Sequence, residues 1–300
     1  MKILVSGSTG FIGSALVRAL EADGHQVGRL VRPGGPSDSN TVQWDIKGKT
    51  IEAEALAQYD AVVHLAGESL VGRWDDDKKS KILRSRVDGT SLLANAIRSL
   101  DQKPAVFIQA SAIGYYGNRG DEELTEASPK GDGFLADVVD KWEEASQPLA
   151  EAGVRTVKLR FGVVLDPAGG AMEKMLTPFK AGLGGKLASG KQYMSWVTRD
   201  DVVEIIQFAL RTERLRGVVN AAAPSPVTNA EFTDAIGNAL CRPTVATVPA
   251  FALKMMLGAE AAEEMLLAST RVIPKTLLEA GYQFKHAEIH SALKALLNNS

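Results

Sequence analysis

One cysteine and four histidines in 300 residues leave little for covalent crosslinking or metal chemistry. A lone thiol, Cys241, cannot close an internal disulfide, and its helix-like surroundings read as a buried or incidental thiol in a reducing compartment. The histidines are scattered, so no metal site is expected. No stretch of about 18 apolar residues occurs, and the apolar segment before Gly7 is too short for a secretory signal, so no membrane span is expected and the setting is cytoplasmic. Charge of either sign is not in excess: 34 Lys and Arg face 36 Asp and Glu, a formal net charge of −2. That balance argues against nucleic acid or an anionic membrane as the main partner. What is abundant is apolar surface, 45% of residues, enough to build one large α/β domain with or without a smaller lobe.

The chain opens on an apolar run, Lys2-Ile3-Leu4-Val5-Ser6, that meets three glycines spaced G-x-x-G-x-x-G at Gly7, Gly10 and Gly13. Gly7 lets the chain turn out of a buried strand, Gly10 lets backbone approach a pyrophosphate, and Gly13 lets helix and strand pack closely. The helix that follows, with Ile12, Leu16, Val17 and Leu20 at helical spacing, points its N-terminus at the phosphates. The second strand, His25 to Val31, is followed by Arg32, where an NAD-binding unit would place an acid for the ribose diol. A guanidinium there suits a 2′-phosphate and predicts NADP over NAD; the alternative is a solvated cation beside Pro33.

Strand patterns over 2–6, 26–31, 42–45, 60–65, 104–110 and 154–160 alternate with helical patterns near 11–23, 76–100 and 134–153. Such alternation predicts a Rossmann-type doubly wound parallel sheet. Residues 1–165 form mainly the dinucleotide-binding domain. Past 165 the glycine- and proline-punctuated sequence predicts a smaller substrate lobe over 166–300, interleaved with the first unit through a strand and helix near 195–220. His64 lies inside the apolar run Ala61 to Leu65 and reads as a packed side chain rather than a catalyst.

Several motifs then occur in one order: Thr9-Gly10-Phe11-Ile12-Gly13, His64-Leu65-Ala66-Gly67-Glu68, Ser85-Arg86, Ser111-Ala112-Ile113-Gly114-Tyr115-Tyr116-Gly117, Lys141-Trp142-Glu143, Gly182-Leu183-Gly184-Gly185, Ser195-Trp196-Val197 and Asn220-Ala221-Ala222-Ala223-Pro224. In this the chain resembles an atypical branch of the extended short-chain dehydrogenase/reductases, the "epimerase family protein" group, from residue 1 to about 295. The resemblance implies that Gly7, Thr9, Gly10, Phe11 and Ile12 form the pyrophosphate loop and that Arg32 holds the 2′-phosphate of NADP. It implies that Leu65, Ala66, Gly67 and Glu68 line the adenosine and ribose side and that Val164 lies beside the nicotinamide. Arg86 reaches the cofactor in this reading, or else is a surface cation of the basic stretch from Lys78. Asp45 falls where relatives set a carboxylate near the adenine, unless it turns to solvent.

The catalytic pattern of such enzymes, a serine with Tyr-x-x-x-Lys, is incomplete. Ser111 matches the serine. On the helix around 135–144, the phase that puts Lys141 in the lysine position puts Asp137 in place of the tyrosine, which reads equally as a helical ion pair. Tyr116 or Tyr115, on the loop after Ser111, is then the candidate proton donor, with a substrate-stacking wall as the alternative. Trp74 and Trp196 are candidates to complete the cleft, or are core. Two classes follow: an NADP-dependent oxidoreductase or epimerase acting on a small hydroxyl or carbonyl substrate, such as a nucleotide sugar, or an NADP(H)-binding sensor with lost or weak catalysis. A homodimer is compatible with either.

Overall fold

In the computed structural model, which describes residues 1–35 and 39–298, the central feature is an eight-stranded sheet. Its strands are β1 (Lys2–Ser6), β2 (Gln26–Val31), β3 (Thr41–Asp45), β4 (Thr50–Ile51), β5 (Ala61–His64), β6 (Val106–Ala112), β7 (Arg155–Phe161) and β8 (Gly217–Ala221). Their spatial order is β8-β7-β6-β5-β1-β2-β3-β4, all parallel except the short β4, which returns antiparallel on β3.

The strands are apolar on both faces because helices cover both. Ile3 and Val5 of β1 face a core shared with Leu16, Val17 and Leu20 of α1 (Gly13–Ala22) and with Val202, Ile205 and Ile206 of a helix spanning Arg199–Arg211. Leu4, between them, faces a second core with Leu93 and Ile97 of α2 (Asp76–Arg98). The chain leaves β1 toward β2 and β3, then crosses to β5 on the other side of β1. This reversal opens a crevice at the carboxyl ends of β1 and β5, where open α/β sheets bind ligands.

Two sequence expectations shift. The helical pattern over 134–153 is two helices, α3 (Phe134–Glu144) and a short Gln147–Glu151, separated where Pro148 enters the first turn of the second. The strand expected at 104–110 runs Val106–Ala112, beyond Pro104, which has no N–H to give a ladder, and so carries Ser111 on the strand itself. Cys241 is exposed, in a left-handed conformation that ends the helix Asn229–Leu240.

After residue 165 the chain builds a third apolar cluster around Trp196, Leu176, Phe232 and Leu293. Within that stretch it returns to the main sheet, through the Arg199–Arg211 helix and β8 at the sheet's edge.

Candidate active site: a dinucleotide cleft and a buried polar cluster

The glycine turn is built as its spacing predicts. Gly7 sits at φ +67°, and a Cβ there would meet the Ala66 amide nitrogen at 3.0 Å. A Cβ on Gly13 would lie 2.1 Å from the Gly7 carbonyl oxygen, so only glycine lets α1 begin this close to β1. Among the described residues, chain neighbours aside, a Cβ on Gly10 meets only the Gly7 oxygen, at 3.1 Å. Among the described residues no side chain caps the N-terminus of α1. Its free N–H groups are therefore left for an external acceptor, the arrangement that binds phosphate.

That turn forms one wall of a cleft of about 760 Å³. Thr9, Gly7 and Gly10 line it from β1, Leu65, Ala66, Gly67 and Glu68 from the end of β5, and Arg32, exposed, from the end of β2. Trp44 and Ile46, from the end of β3, complete the apolar floor in the place expected for Asp45. Asp45 instead accepts the Lys47 N–H at 3.0 Å and closes its own turn. The period-2 run Val42, Trp44, Ile46 is the sequence signal that marks the cleft-facing side of β3.

Other candidates lie around the cleft rather than in its lining. The Phe11 ring packs on Gly169 and Gly170, 2.7 and 2.9 Å from where their Cβ atoms would stand, so only its backbone belongs to the turn. Ile12 and Val164 pack against the main core. Arg86 is no surface cation. Its Nη1 donates to the carbonyls of Glu68 (3.0 Å) and Ile82 (3.2 Å), its guanidinium lies 5.1 Å from the centre of the Trp142 ring, and burial pushes its pKa down to about 10. Ser85 accepts the Glu68 N–H at 3.0 Å, so the Ser-Arg pair clamps the backbone at the mouth of β5. The Glu68 carboxylate accepts from Lys78 Nζ at 2.7 Å, which lowers its pKa.

Beneath this strand end His64 is fully buried. The Ser6 hydroxyl accepts the N–H groups of Leu65 (3.1 Å) and Ala66 (3.2 Å), which directs its proton to His64 Nδ1 at 2.7 Å. Nε2 therefore carries the ring proton and donates to Thr90 Oγ1 at 3.1 Å, an assignment made from the bonding pattern. Burial lowers the His64 pKa from 6.5 to about 4. The folded chain thus refuses a proton that the unfolded chain accepts below pH 6.5, so stability falls as pH drops through the window 6.5 to 4 and levels off beneath it. The span of about 2.5 pH units corresponds to roughly 3 kcal/mol. Urea denaturation at pH 7 and pH 4.5 should show this loss in the native chain and a markedly smaller one in His64→Gln; equal slopes for both would refute the buried neutral imidazole.

The second part of the site lies at the carboxyl ends of β6 and β7. Ser111 and Arg160 are register partners on these adjacent strands and project to the same face. Glu143, on α3, meets both: it accepts the Ser111 hydroxyl at 2.5 Å and takes Arg160 Nε and Nη2 at 2.8 Å each. All three side chains are nearly inaccessible. Burial alone would weaken the Arg160 charge, but the Glu143 bonds outweigh it and raise its pKa. The guanidinium stacks 3.4 Å from the centre of the Tyr115 ring.

Tyr116, one of the two candidate proton donors, is fully buried; its hydroxyl donates to Asn220 Oδ1 at 2.7 Å, and burial raises its pKa. Tyr115 is the half-buried one, and its hydroxyl makes no hydrogen bond among the described residues. Asp137 and Lys141 both lie on the solvent face of α3, and Asp137 pairs with Lys130 at 2.6 Å instead of with Lys141. The face turned inward carries Leu135, whose Cβ would stand 3.2 Å from a Cβ on Gly114, Val139 and Glu143. Trp196 is wholly buried, its indole N–H on the Ser225 carbonyl, and so is core rather than cleft. Trp74 is half-buried, edge-on to Phe134 at 5.3 Å.

The N-terminus of α3 is capped from far along the chain. Glu264 accepts the N–H groups of Phe134 (2.8 Å) and Leu135 (2.7 Å), placing a carboxylate at the positive end of the helix that carries Glu143. Among the described residues no His, Cys, Asp and Glu grouping fits a metal ion, and no helix is long and apolar enough to cross a membrane.

A family model described as "NAD dependent epimerase/dehydratase family" matches residues 3–222, nearly the whole of this sheet and both halves of the site. The chain belongs to this family. A second match, to a domain of unknown function (DUF1731), covers residues 248–296 and includes Glu264. Within the family, the chain is 43% identical over 292 residues to the epimerase family protein Mb2239 of Mycobacterium bovis, covering 97% of this chain and 96% of that one. The crystal structure of human epimerase family protein SDR39U1 (isoform 2) with NADPH superposes with a TM-score of 0.90 at 37% identity, covering all of both chains. A UDP-glucose 4-epimerase of Thermus thermophilus, in complex with NAD, has a TM-score of 0.78 at 22% identity over 99% of this chain and 98% of that one, a likeness of fold. Glu143 and Asn220 stand within motifs quoted from the sequence, but the sequence reading assigned neither of them a role in the site. The signal for Glu143 is an acid within the apolar stripe Leu135, Val138, Val139, Trp142 of α3.

Proposed function

We propose that the chain binds NADP(H) in the glycine-turn cleft and acts as an oxidoreductase of the epimerase type on a small hydroxyl or carbonyl substrate. The observation that carries this reading is that Arg32 lines the same cleft as Gly7, Thr9 and Gly10, at the strand end where a 2′-phosphate would stand. The NADPH complex of the human relative supports it. Bound there, the cofactor supplies or takes up a hydride.

The chain's own part is to hold substrate and move a proton. Ser111 donates its hydroxyl hydrogen bond to Glu143, and Arg160 fixes that carboxylate in place, so toward a substrate hydroxyl the Ser111 oxygen would act as an acceptor. Of the two candidate tyrosines, Tyr115 supplies the hydroxyl that remains free to pass a proton, since Tyr116 is committed to Asn220. A substrate held between them would be a small molecule, with neither nucleic acid nor membrane required.

The sensor reading has an observation in its favour too: α3 turns Leu135 and Val139 toward the site, where a tyrosine and lysine would serve hydride chemistry. NADPH oxidation measured over a broad carbonyl panel separates the two. Turnover by the native chain, lost in Ser111→Ala with NADPH affinity retained, is the expected result, and absence of oxidation across the panel selects the sensor. Arg32→Ala should weaken NADPH binding by about ten- to a hundredfold, a charge-assisted contact of roughly 1.5–3 kcal/mol, while leaving NADH nearly unchanged. Equal losses for both cofactors would mean that Arg32 does not read the 2′-phosphate.

A further inference from the structure

A second cleft, of about 450 Å³, opens at the opposite edge of the sheet, at the amino ends of β7 and β8. Arg155, Thr156 and Lys158 come to it from β7, Arg216 and Gly217 from the start of β8, and Gln147 from the short helix Gln147–Glu151. Three of these carry positive charge, and no acidic residue lines the cleft among the described residues.

None of the three cations forms an ion pair with a carboxylate among the described residues. Arg155 is held rigidly, but by carbonyls alone: Nη1 donates to those of Ala209 (2.9 Å), Thr212 (3.2 Å) and Leu215 (3.0 Å), and Nη2 to Leu210 (3.1 Å), at the negative end of the Arg199–Arg211 helix. Lys158 is half-buried and makes no hydrogen bond or ion pair among the described residues. Burial pushes its pKa down, and the charge of Arg160 adds to that; the attraction of Glu143 acts against it, but Glu143 is already engaged by Arg160. Glu144 and Glu213 attract Lys158 and Arg155 from exposed positions outside the lining. Arg216 is exposed at the rim, and its charge bears unfavourably on Arg155.

A half-buried ammonium without a hydrogen-bonding partner, in a cleft whose described lining carries no acid, is stabilised when an anion completes it. We infer that this cleft is a binding site for a small phosphorylated molecule, separate from the dinucleotide cleft. Lys158 and Arg216 would provide the charge, and Gln147 an amide for the organic part. The volume admits a phosphate or pyrophosphate with a small group attached, and is well short of the dinucleotide cleft. The inference does not depend on the redox reading of the other cleft.

Isothermal titration of the full chain with pyrophosphate, and separately with inorganic phosphate, tests it with NADPH present at saturation. The expected result is saturable binding at one site, weakened by added salt and reduced at least about tenfold in Lys158→Met. Arg216→Gln, an exposed change with little bearing on the fold, should weaken it by a smaller factor and serves as the deciding variant if Lys158→Met does not fold. Lys191→Met, an exposed lysine elsewhere, should leave it unchanged. No saturable binding by the native chain, equal affinity in native and Arg216→Gln proteins, or binding that disappears when NADPH saturates would each overturn the inference. The last outcome would place the anion in the dinucleotide cleft.

Discussion

Glu143→Ala is expected to destabilise the folded chain by about 3–5 kcal/mol, the usual cost of removing one partner from a buried ion pair. The side chains of Arg160 and Glu143 are 3% and 8% exposed, and two hydrogen bonds of 2.8 Å join them. Without the carboxylate, Arg160 would keep a full charge in a site that water hardly reaches, stacked on the Tyr115 and Tyr116 rings and repelled by Lys158. Ser111 would lose its acceptor at the same time. Urea denaturation measures the loss. The double variant Glu143→Leu/Arg160→Met should recover much of it, since apolar residues of similar volume often replace a buried pair with little penalty. A loss below about 1 kcal/mol in the single variant would mean that water or a rearranged partner already compensates Arg160.

The other large effect concerns binding. Gly10→Val should reduce NADPH affinity more than about a hundredfold and leave the far-ultraviolet circular dichroism unchanged, because the new side chain takes the space of the pyrophosphate and meets nothing of the core. Among the described residues, chain neighbours aside, the near atom is the Gly7 oxygen, 3.1 Å from the Cβ position, which asks for a shift of a few tenths of an ångström. Gly13→Val provides the contrast: its Cβ would stand 2.1 Å from the Gly7 oxygen and 2.8 Å from the Gly7 carbonyl carbon, between α1 and β1, so that variant should fail to fold. Calorimetry and circular dichroism together decide the matter. Unimpaired cofactor affinity in Gly10→Val would reject the phosphate loop.

The contrast between these two glycines also explains what was legible in the sequence. A turn that needs φ +67° at Gly7 and an empty Cβ position at Gly13 must write its geometry into residue type, so the turn and the two strands beside it could be read directly. The buried cluster left a weaker trace. Ser111, Glu143 and Arg160 stand 32 and 17 residues apart and meet only because β6 and β7 pair in the register that sets Ser111 beside Arg160. Helix phase could have found Glu143, since it falls within the apolar stripe of α3, whereas Asp137 and Lys141 belong to the wet face. The two tyrosines could not be told apart, because the short 3-10 turn Ile113–Tyr116 sends adjacent side chains to opposite environments. Burial of Trp196 was equally hidden, since it depends on a third cluster assembled from segments far apart in the chain.

The carboxylate of Glu264, seated on the first amides of α3, bears on how such proteins can diversify. It lies within the stretch 248–296 matched separately from the epimerase unit, yet it completes a helix inside that unit. The two stretches are therefore not interchangeable parts. A chimaera that takes its last fifty or so residues from another lineage must bring along an acid at this point, or lose the cap on the helix that positions Glu143. Selection on a replaced C-terminal stretch would act, through Glu264 among its contacts, on the helix that aligns Ser111 and Arg160.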